Sequence, residues 1–168
     1  LTLPGRFNAA NAAAAIAGAR ALGVPLADAA AGLSTARAAF GRAEHMDVAG
    51  RSIVLLLAKN PAGWQQALGM LHAHATGHVI AVNGREADGQ DLSWLWDVDF
   101  SPLATRSIFA CGERRADLAV RLTYAGLPHA CGNDVIEAIR ACPPGPVEVM
   151  VNYSAFVQVN RLLQHVHG

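Results

Sequence analysis

Residues 83–91 bring three carboxylates (Glu86, Asp88, Asp91), one arginine (Arg85) and two glycines together directly after an apolar run. Asp91 stands at the end of this loop, where a carboxylate caps the following helix by accepting backbone N–H bonds. Capping does not exclude a catalytic use of the same group. Residues 92–100 then crowd Trp94, Trp96 and Phe100 beside Asp97 and Asp99. Such clustering serves core packing, or it serves a partner surface, where tryptophan is over-represented. Trp94, Trp96 and Asp97 are therefore interface candidates. Lys59 ends another apolar run and precedes Asn60 and Pro61. An ammonium group there meets a phosphate or an acyl phosphate as a point charge, or it sits in water as an ordinary strand-end lysine. His74 and His78 are four apart, but Gly77 intervenes and a strand begins at once, so they do not read as a metal pair. The chain has no G-x-x-x-x-G-K-[ST] loop to cradle a triphosphate, no G-x-S-x-G elbow and no cysteine–histidine nucleophile pattern.

What must position these groups is an alternation of strands and helices. Residues 53–58 form the continuous apolar run of a parallel strand buried on both faces. Pro61 suits the first turn of a helix, predicted to reach about residue 74. Further strands are predicted at 79–82, 107–110 and 147–151, with a short edge candidate at 127–130. Helices are predicted at 113–125, 133–141 and 155–166. Upstream, the alanine-rich stretch 7–22 predicts a helix stopped by Gly23 and Pro25, and 26–35 predicts a second. That pair reads as a small hairpin packed through close alanine contacts. The whole implies an α/β protein, a Rossmann-like, doubly wound, mostly parallel sheet preceded by a short helical hairpin. The division falls between a helical segment, 1–40, and an α/β domain, 41–168. Ligands of such sheets collect beyond the C-terminal strand ends. Here those ends are 59–61, 83–91, 111–113 and 152–154, where most of the polar, glycine-containing loops fall.

A chain of 168 residues suits one ordinary domain, and 52% hydrophobic with 15% charged residues excludes disorder. Formal charge is zero, 13 basic against 13 acidic residues without a basic stripe, which argues against a nucleic-acid partner. So low a charge density is poor for the solubility of a lone domain and points to a covered surface. Three cysteines, Cys111, Cys131 and Cys142, with no C-x-x-C pair, offer neither a disulfide framework nor a four-cysteine zinc site. No apolar run reaches the roughly 20 residues of a transmembrane segment, and the alanine-rich start lacks a signal-peptide pattern. A cytoplasmic, reduced setting is expected.

Several segments together resemble the Mur ligases. Residues 4–15 look like the G-x-[HF]-N-x-x-N-A-x-A-A segment that closes the ATPase domain of that family, and 41–44 like the G-R-x-E element after it. Residues 57–63 stand where these ligases carry D-Y-A-H-N-P, with an aliphatic residue replacing the Asp and Lys59 replacing the His. That variant resembles the MurT branch, as does the A-D-G-x-D-x-S-W pattern within 87–100. Residues 112–126 and 152–155 add lesser matches, so the resemblance covers nearly the whole chain.

The resemblance implies a concrete role. A MurT-type subunit forms a heterodimer with a GatD-type glutamine amidotransferase, and together they convert the α-carboxylate of D-glutamate in lipid II to an amide, giving D-isoglutamine. The ligase uses ATP and Mg to activate the carboxylate as an acyl phosphate, while the partner, which holds the Cys and His, releases ammonia from glutamine. The ligase supplies the acid of that triad, and Asp91 is the matching position. Such a carboxylate orients the histidine tautomer and stabilises the imidazolium. Asn8 matches a position near the adenine, and Lys59 and Asn60 lie at the nucleotide-facing end of a strand. The family's P-loop and zinc ribbon have no counterpart here. The chain is accordingly expected to be a fragment, inactive alone, of a cytoplasmic subunit acting on lipid II at the inner face of the membrane. Two alternatives compete. One is the C-terminal domain of an amino-acid-adding Mur ligase or a folylpolyglutamate synthetase-like ligase, against which the missing Asp and the Ser-Trp block speak. The other is a non-catalytic binding module that kept the fold.

Overall fold

The computed structural model describes residues 6–36 and 42–166. The chain divides into two compact units, Leu1–Phe40 and Gly41–Gly168. In the first, α1 (Arg6–Ala21) and α2 (Leu26–Ser34) lie within a residue or two of the expected helices. Alanine favours the helix, and Gly23 between the two takes φ 87°, the left-handed conformation that ends helices. No residue of α2 is buried, so the expected alanine packing covers little surface.

The second unit is built on six strands: β1 (Arg42–Val48), β2 (Arg51–Leu57), β3 (Gly77–Ala81), β4 (Ile108–Cys111), β5 (Ala130–Cys131) and β6 (Val147–Val151). Their order in the sheet is β1-β2-β6-β3-β4-β5. All neighbours pair in parallel except β1 and β2. The crossovers carry α3 (Pro61–Leu68), α4 (Arg115–Tyr124) and α5 (Val135–Ala141), and α6 (Tyr153–Val166) follows β6. Side chains alternating along the central strands sort two apolar layers. Val54, Leu56, Ile80 and Val82 pack with Trp64 and Leu68 of α3 and with Leu118 and Leu122 of α4. Ile53, Leu55, Val79 and Ala81 pack with Ile139 of α5 and Phe156 of α6. Both faces of the sheet are thus covered, as in a doubly wound, Rossmann-like fold, and each buried side chain of this size contributes about 1.5–3 kcal/mol.

Three details depart from the sequence pattern. The edge strand β1 has no apolar run; among its described side chains Val48 is buried and Met46 partly so. Its signal lies in the turn, where Ala49 and Gly50 both take positive φ, 51° and 76°, as a two-residue hairpin requires. The helix expected to reach residue 74 stops at Leu68. Gly69 weakens the helix, and Glu148 of β6 takes the N–H of His72 at 2.9 Å, holding the connection irregular. The Glu148 carboxylate is buried, with Oε1 2.7 Å from His72 Nδ1 and Oε2 3.0 Å from His78 Nε2. Burial pushes this carboxyl up, but the adjacent His78 ring and the N–H and ring of His72 outweigh it and leave the group below its usual range. Finally, Gly112 takes φ 90° after β4, and a Cβ there would lie 2.5 Å from the carbonyl oxygen of Val82. Only glycine lets the Arg114 N–H reach that oxygen at 2.9 Å.

Among the described residues, no helix is long and apolar enough to cross a membrane.

Candidate functional site

The C-terminal strand ends share one edge of the sheet, and two buried asparagines join them. Asn83, just past β3, donates its N–H to Asn152 Oδ1 (3.1 Å), and Asn152 Nδ2, just past β6, donates to the Asn83 carbonyl (2.7 Å). The Asn83 side chain also donates to Gln158 Oε1 of α6 (3.2 Å) and accepts the Glu113 N–H (2.9 Å). Sequence reasoning did not single out either residue. The available signal was an asparagine directly after each of two apolar strands, where a buried amide must find partners.

Lys59 is exposed beyond β2, with Nζ 4.5 Å from the centroid of the Tyr153 ring, a cation–π contact. Asn60 caps α3: its Oδ1 accepts the Gly63 N–H at 2.8 Å, which leaves the amide NH₂ for any ligand. Beside Tyr153 and Ser154 lies a cleft of about 760 Å³, walled by Arg85 on one side and by Arg161 and Leu162 of α6 on the other. Arg85 is forked onto Glu113, with Nη2 2.5 Å from Oε1, and that bond holds the Glu113 carboxyl below its usual range. Asn8 lies half-buried on α1, in the first unit. The strand-end residues fit the phosphate of a nucleotide in part: Lys59 presents a cation and Asn60 a donor, without a backbone cradle. Among the described residues, no group of three or more His, Cys, Asp or Glu side chains is placed to hold a metal ion.

The loop from Asn83 leads to Asp91, whose side chain lies on the surface. Its Oδ1 accepts the Ser93 N–H (2.8 Å) and its Oδ2 the Ser93 hydroxyl (2.9 Å). The expected cap is realised one residue early, on a single 3-10 turn, Ser93–Asp97, whose own first flanking residue is Leu92. The Ser93 N–H, then its hydroxyl, and to a lesser degree the charge of Arg114 hold Asp91 below the usual carboxylate range. It is therefore ionised at neutral pH, and each oxygen keeps a lone pair for a further donor. Arg114, forked onto Asp117 (2.7 and 3.1 Å), reaches back to the carbonyl of Gln90 (3.3 Å) and ties α4 to this loop.

The two tryptophans separate. Trp94 packs on the core, 5.8 Å from the Trp64 ring. Trp96 is 54% exposed; it meets Tyr124 edge-on at 5.4 Å and lies under the Arg121 guanidinium, also at 5.4 Å. Arg121 is fixed by the carbonyls of Leu95 (3.1 Å) and Val98 (2.7 Å). Asp97 is exposed. Tyr124, 77% exposed, extends this aromatic surface onto α4, which the sequence alone did not reveal because the contact spans 28 residues.

This mostly parallel sheet, covered by helices on both faces, is a fold shared with solved Mur-type ligases. The chain is similar in fold to a pseudomurein peptide ligase type C from Methanothermus fervidus, with TM-score 0.77 and 16% identity over 99% of this chain and 37% of that one. It is likewise similar to the UDP-N-acetylmuramate-alanine ligase MurC from Thermotoga maritima, with TM-score 0.70 and 16% identity over 99% of this chain and 39% of that one. At such identities the likeness concerns the fold alone. Sequence narrows it: residues 57–156 match the family described as MurT ligase C-terminal, and the chain belongs to that family. The lipid II isoglutaminyl synthase (glutamine-hydrolyzing) subunit MurT of Streptococcus pneumoniae R6 is 36% identical over 133 residues, 76% of this chain and 30% of that protein. The subunit of the same name from Staphylococcus aureus COL is 34% identical over 131 residues, 74% of this chain and again 30% of the relative. The chain thus spans about 30% of the length of these curated relatives.

Proposed function

We propose that this chain serves as the C-terminal domain of the ligase subunit of a lipid II isoglutaminyl synthase, with residues 1–40 closing the preceding ATPase domain. In that reading the subunit, acting in the cytoplasm at the inner face of the membrane, converts the D-glutamate α-carboxylate of lipid II to an amide. ATP with Mg, bound in the full-length subunit, would supply the phosphoryl group that activates the carboxylate, leaving ADP. Ammonia from glutamine then displaces the phosphate. Lys59 offsets negative charge at the strand end, and the amide of Asn60 donates beside it. A GatD-type glutamine amidotransferase docks against Trp96, Tyr124 and Asp97 and receives Asp91 as the acid of its triad, with Trp94 supporting the surface from beneath.

The observation that supports this reading best is Asp91 itself. It is ionised, surface-placed and held in one orientation by Ser93, and among the described residues no histidine is hydrogen-bonded to it. A carboxylate so prepared suits an imidazole brought by another chain. The test is reconstitution. Full-length subunit and amidotransferase partner, given lipid II, ATP, Mg and glutamine, should yield the amidated lipid by mass spectrometry. Lys59→Ala should slow amidation while glutamine hydrolysis continues. Failure of the wild-type pair to amidate lipid II would overturn the reading.

A further inference from the structure

Asp88 lies three residues before Asp91, and its carboxylate is bonded to a different element. Oδ1 accepts the Ser154 N–H at 2.9 Å, and Oδ2 accepts the Ser154 hydroxyl together with the Arg85 N–H at 3.3 Å. Ser154 stands in the first turn of α6, a 14-residue helix whose leading N–H groups have no partner within the helix. Asn83 and Asn152 make the second fastening, five residues upstream, through their paired amides. The loop is therefore clamped at 83 and at 88 onto 152–154, and only Gly89 and Gln90 separate the Asp88 clamp from Asp91. The link is three residue steps of about 3.8 Å each, and within it Arg114 holds the Gln90 carbonyl from the other side at 3.3 Å, so the segment before Asp91 is fastened at both Asp88 and Gln90.

We propose that Asp88 is a positioning residue for the glutamine-hydrolysing half-reaction: it fixes the Asp91 carboxylate, through the short Gly89–Gln90 link, at the place where the partner's histidine must find it. The proposal rests on the triad role assigned to Asp91 above. Asp88 does not touch the reacting atoms; its oxygens bond Ser154 of α6 and, through Oδ2, the Arg85 N–H of its own loop. Displacing an orienting group by an ångström costs on the order of a hundredfold in rate, so the effect of losing this clamp falls on turnover. Binding of glutamine, which occurs on the partner, is left alone.

The experiment uses the full-length subunit in complex with its amidotransferase partner, with Asp88→Ala, Asp88→Asn and Asp91→Asn compared. Asp88→Ala should lower kcat for glutamine hydrolysis by about ten- to a hundredfold, with KM for glutamine unchanged. Asp88→Asn keeps an acceptor for the Ser154 N–H and should recover part of the loss. Supplying ammonium chloride in place of glutamine should restore amidation by the Asp88→Ala complex to near the wild-type rate, which a general collapse of the domain would not allow. Wild-type kcat in Asp88→Ala, with Asp91→Asn inactive, overturns the positioning role alone. Loss of the ammonia-driven and glutamine-driven reactions in equal measure, in both Asp88 variants, overturns it in favour of a purely structural cap. Asp88→Asn as inactive as Asp91→Asn, with ammonia-driven amidation intact, overturns it by making Asp88 the acid itself. A wild-type rate in Asp91→Asn removes the triad reading underneath, and the positioning role with it.

Discussion

The segment 91–101 contains the same local device twice. Asp91 accepts the N–H and the hydroxyl of Ser93 at 2.8 and 2.9 Å; eight residues later Asp99 accepts the N–H and the hydroxyl of Ser101 at 2.9 and 2.8 Å. Both carboxyls are exposed, both lie below the usual aspartate range, and the leading cause in each is the serine N–H. Locally the two turns are interchangeable. Their settings are not. The backbone of Asp99 is gripped from both sides by Gln65 of α3, whose Oε1 accepts its N–H (3.0 Å) and whose Nε2 donates to its carbonyl (3.3 Å). Next to it, Phe100 is buried against Trp64. Asp91 instead ends a loop fastened to the strand ends, and Arg114 grips its neighbour rather than itself. An Asp-x-Ser turn is therefore a structural cap by default, and a catalytic role has to be argued from where the turn is delivered.

That comparison gives the largest expected effect. In the reconstituted complex, Asp91→Asn keeps much of the capping ability of Asp but loses the charge, and should lower glutamine hydrolysis by up to about ten-thousand-fold, as for the corresponding change in serine proteases. Asp99→Asn, which makes the same local change, should leave that rate near wild type. Equal rates for the two variants would erase the distinction between the turns. A smaller effect tests the setting of the second turn. Gln65→Ala removes both bonds to the Asp99 backbone and should cost about 1 kcal/mol of stability, read as a lower melting temperature, with glutaminase activity retained. The smallest effect concerns acid. A carboxyl held low in the folded state stabilises it above the unfolded pKa, near 3.9, and that contribution disappears as pH falls through the folded pKa. Asp91→Asn and Asp99→Asn should each flatten the acid limb of a stability–pH profile to a similar degree. A clear difference between them would show that the two turns are not electrostatically equivalent.

Much of the fold was legible in the residues. The runs at 53–58 and 147–151 are strands because a parallel strand covered on both faces leaves no position for polar side chains; residues 51–57 and 147–151 are the strands β2 and β6 that result. β1 escaped because its sequence carries no apolar run; among its described side chains Met46 and Val48 alone join the core. The helix expected to reach 74 was misjudged because Glu148, 76 residues away, takes the N–H of His72. At the candidate site, the carboxylates, Lys59 and the tryptophans stood out by type and spacing. Asn83, Asn152, Ser154, Arg121 and Tyr124 did not, since each matters through a partner distant in the chain. The residues on 1–5, 37–41 and 167–168, which include parts of the first Mur-like segment and of the G-R-x-E element, lie outside the described residues.

By itself the sequence determined what depends on neighbours along the chain: strands from apolar runs, the start of α3 at Asn60-Pro61, the end of α1 near Gly23, and the Asp-x-Ser turns, whose donors and acceptor lie two residues apart. Only the tertiary structure decided which face each tryptophan takes, leaving Trp94 against the core and Trp96 against Tyr124. It also decided that Asp88 is engaged by α6 while Asp91 bonds only within its own turn. The reason is geometric. Two carboxylates three residues apart in one loop are chemically alike, and what separates their uses is the strand order that brings β6 and the first turn of α6 beside β3.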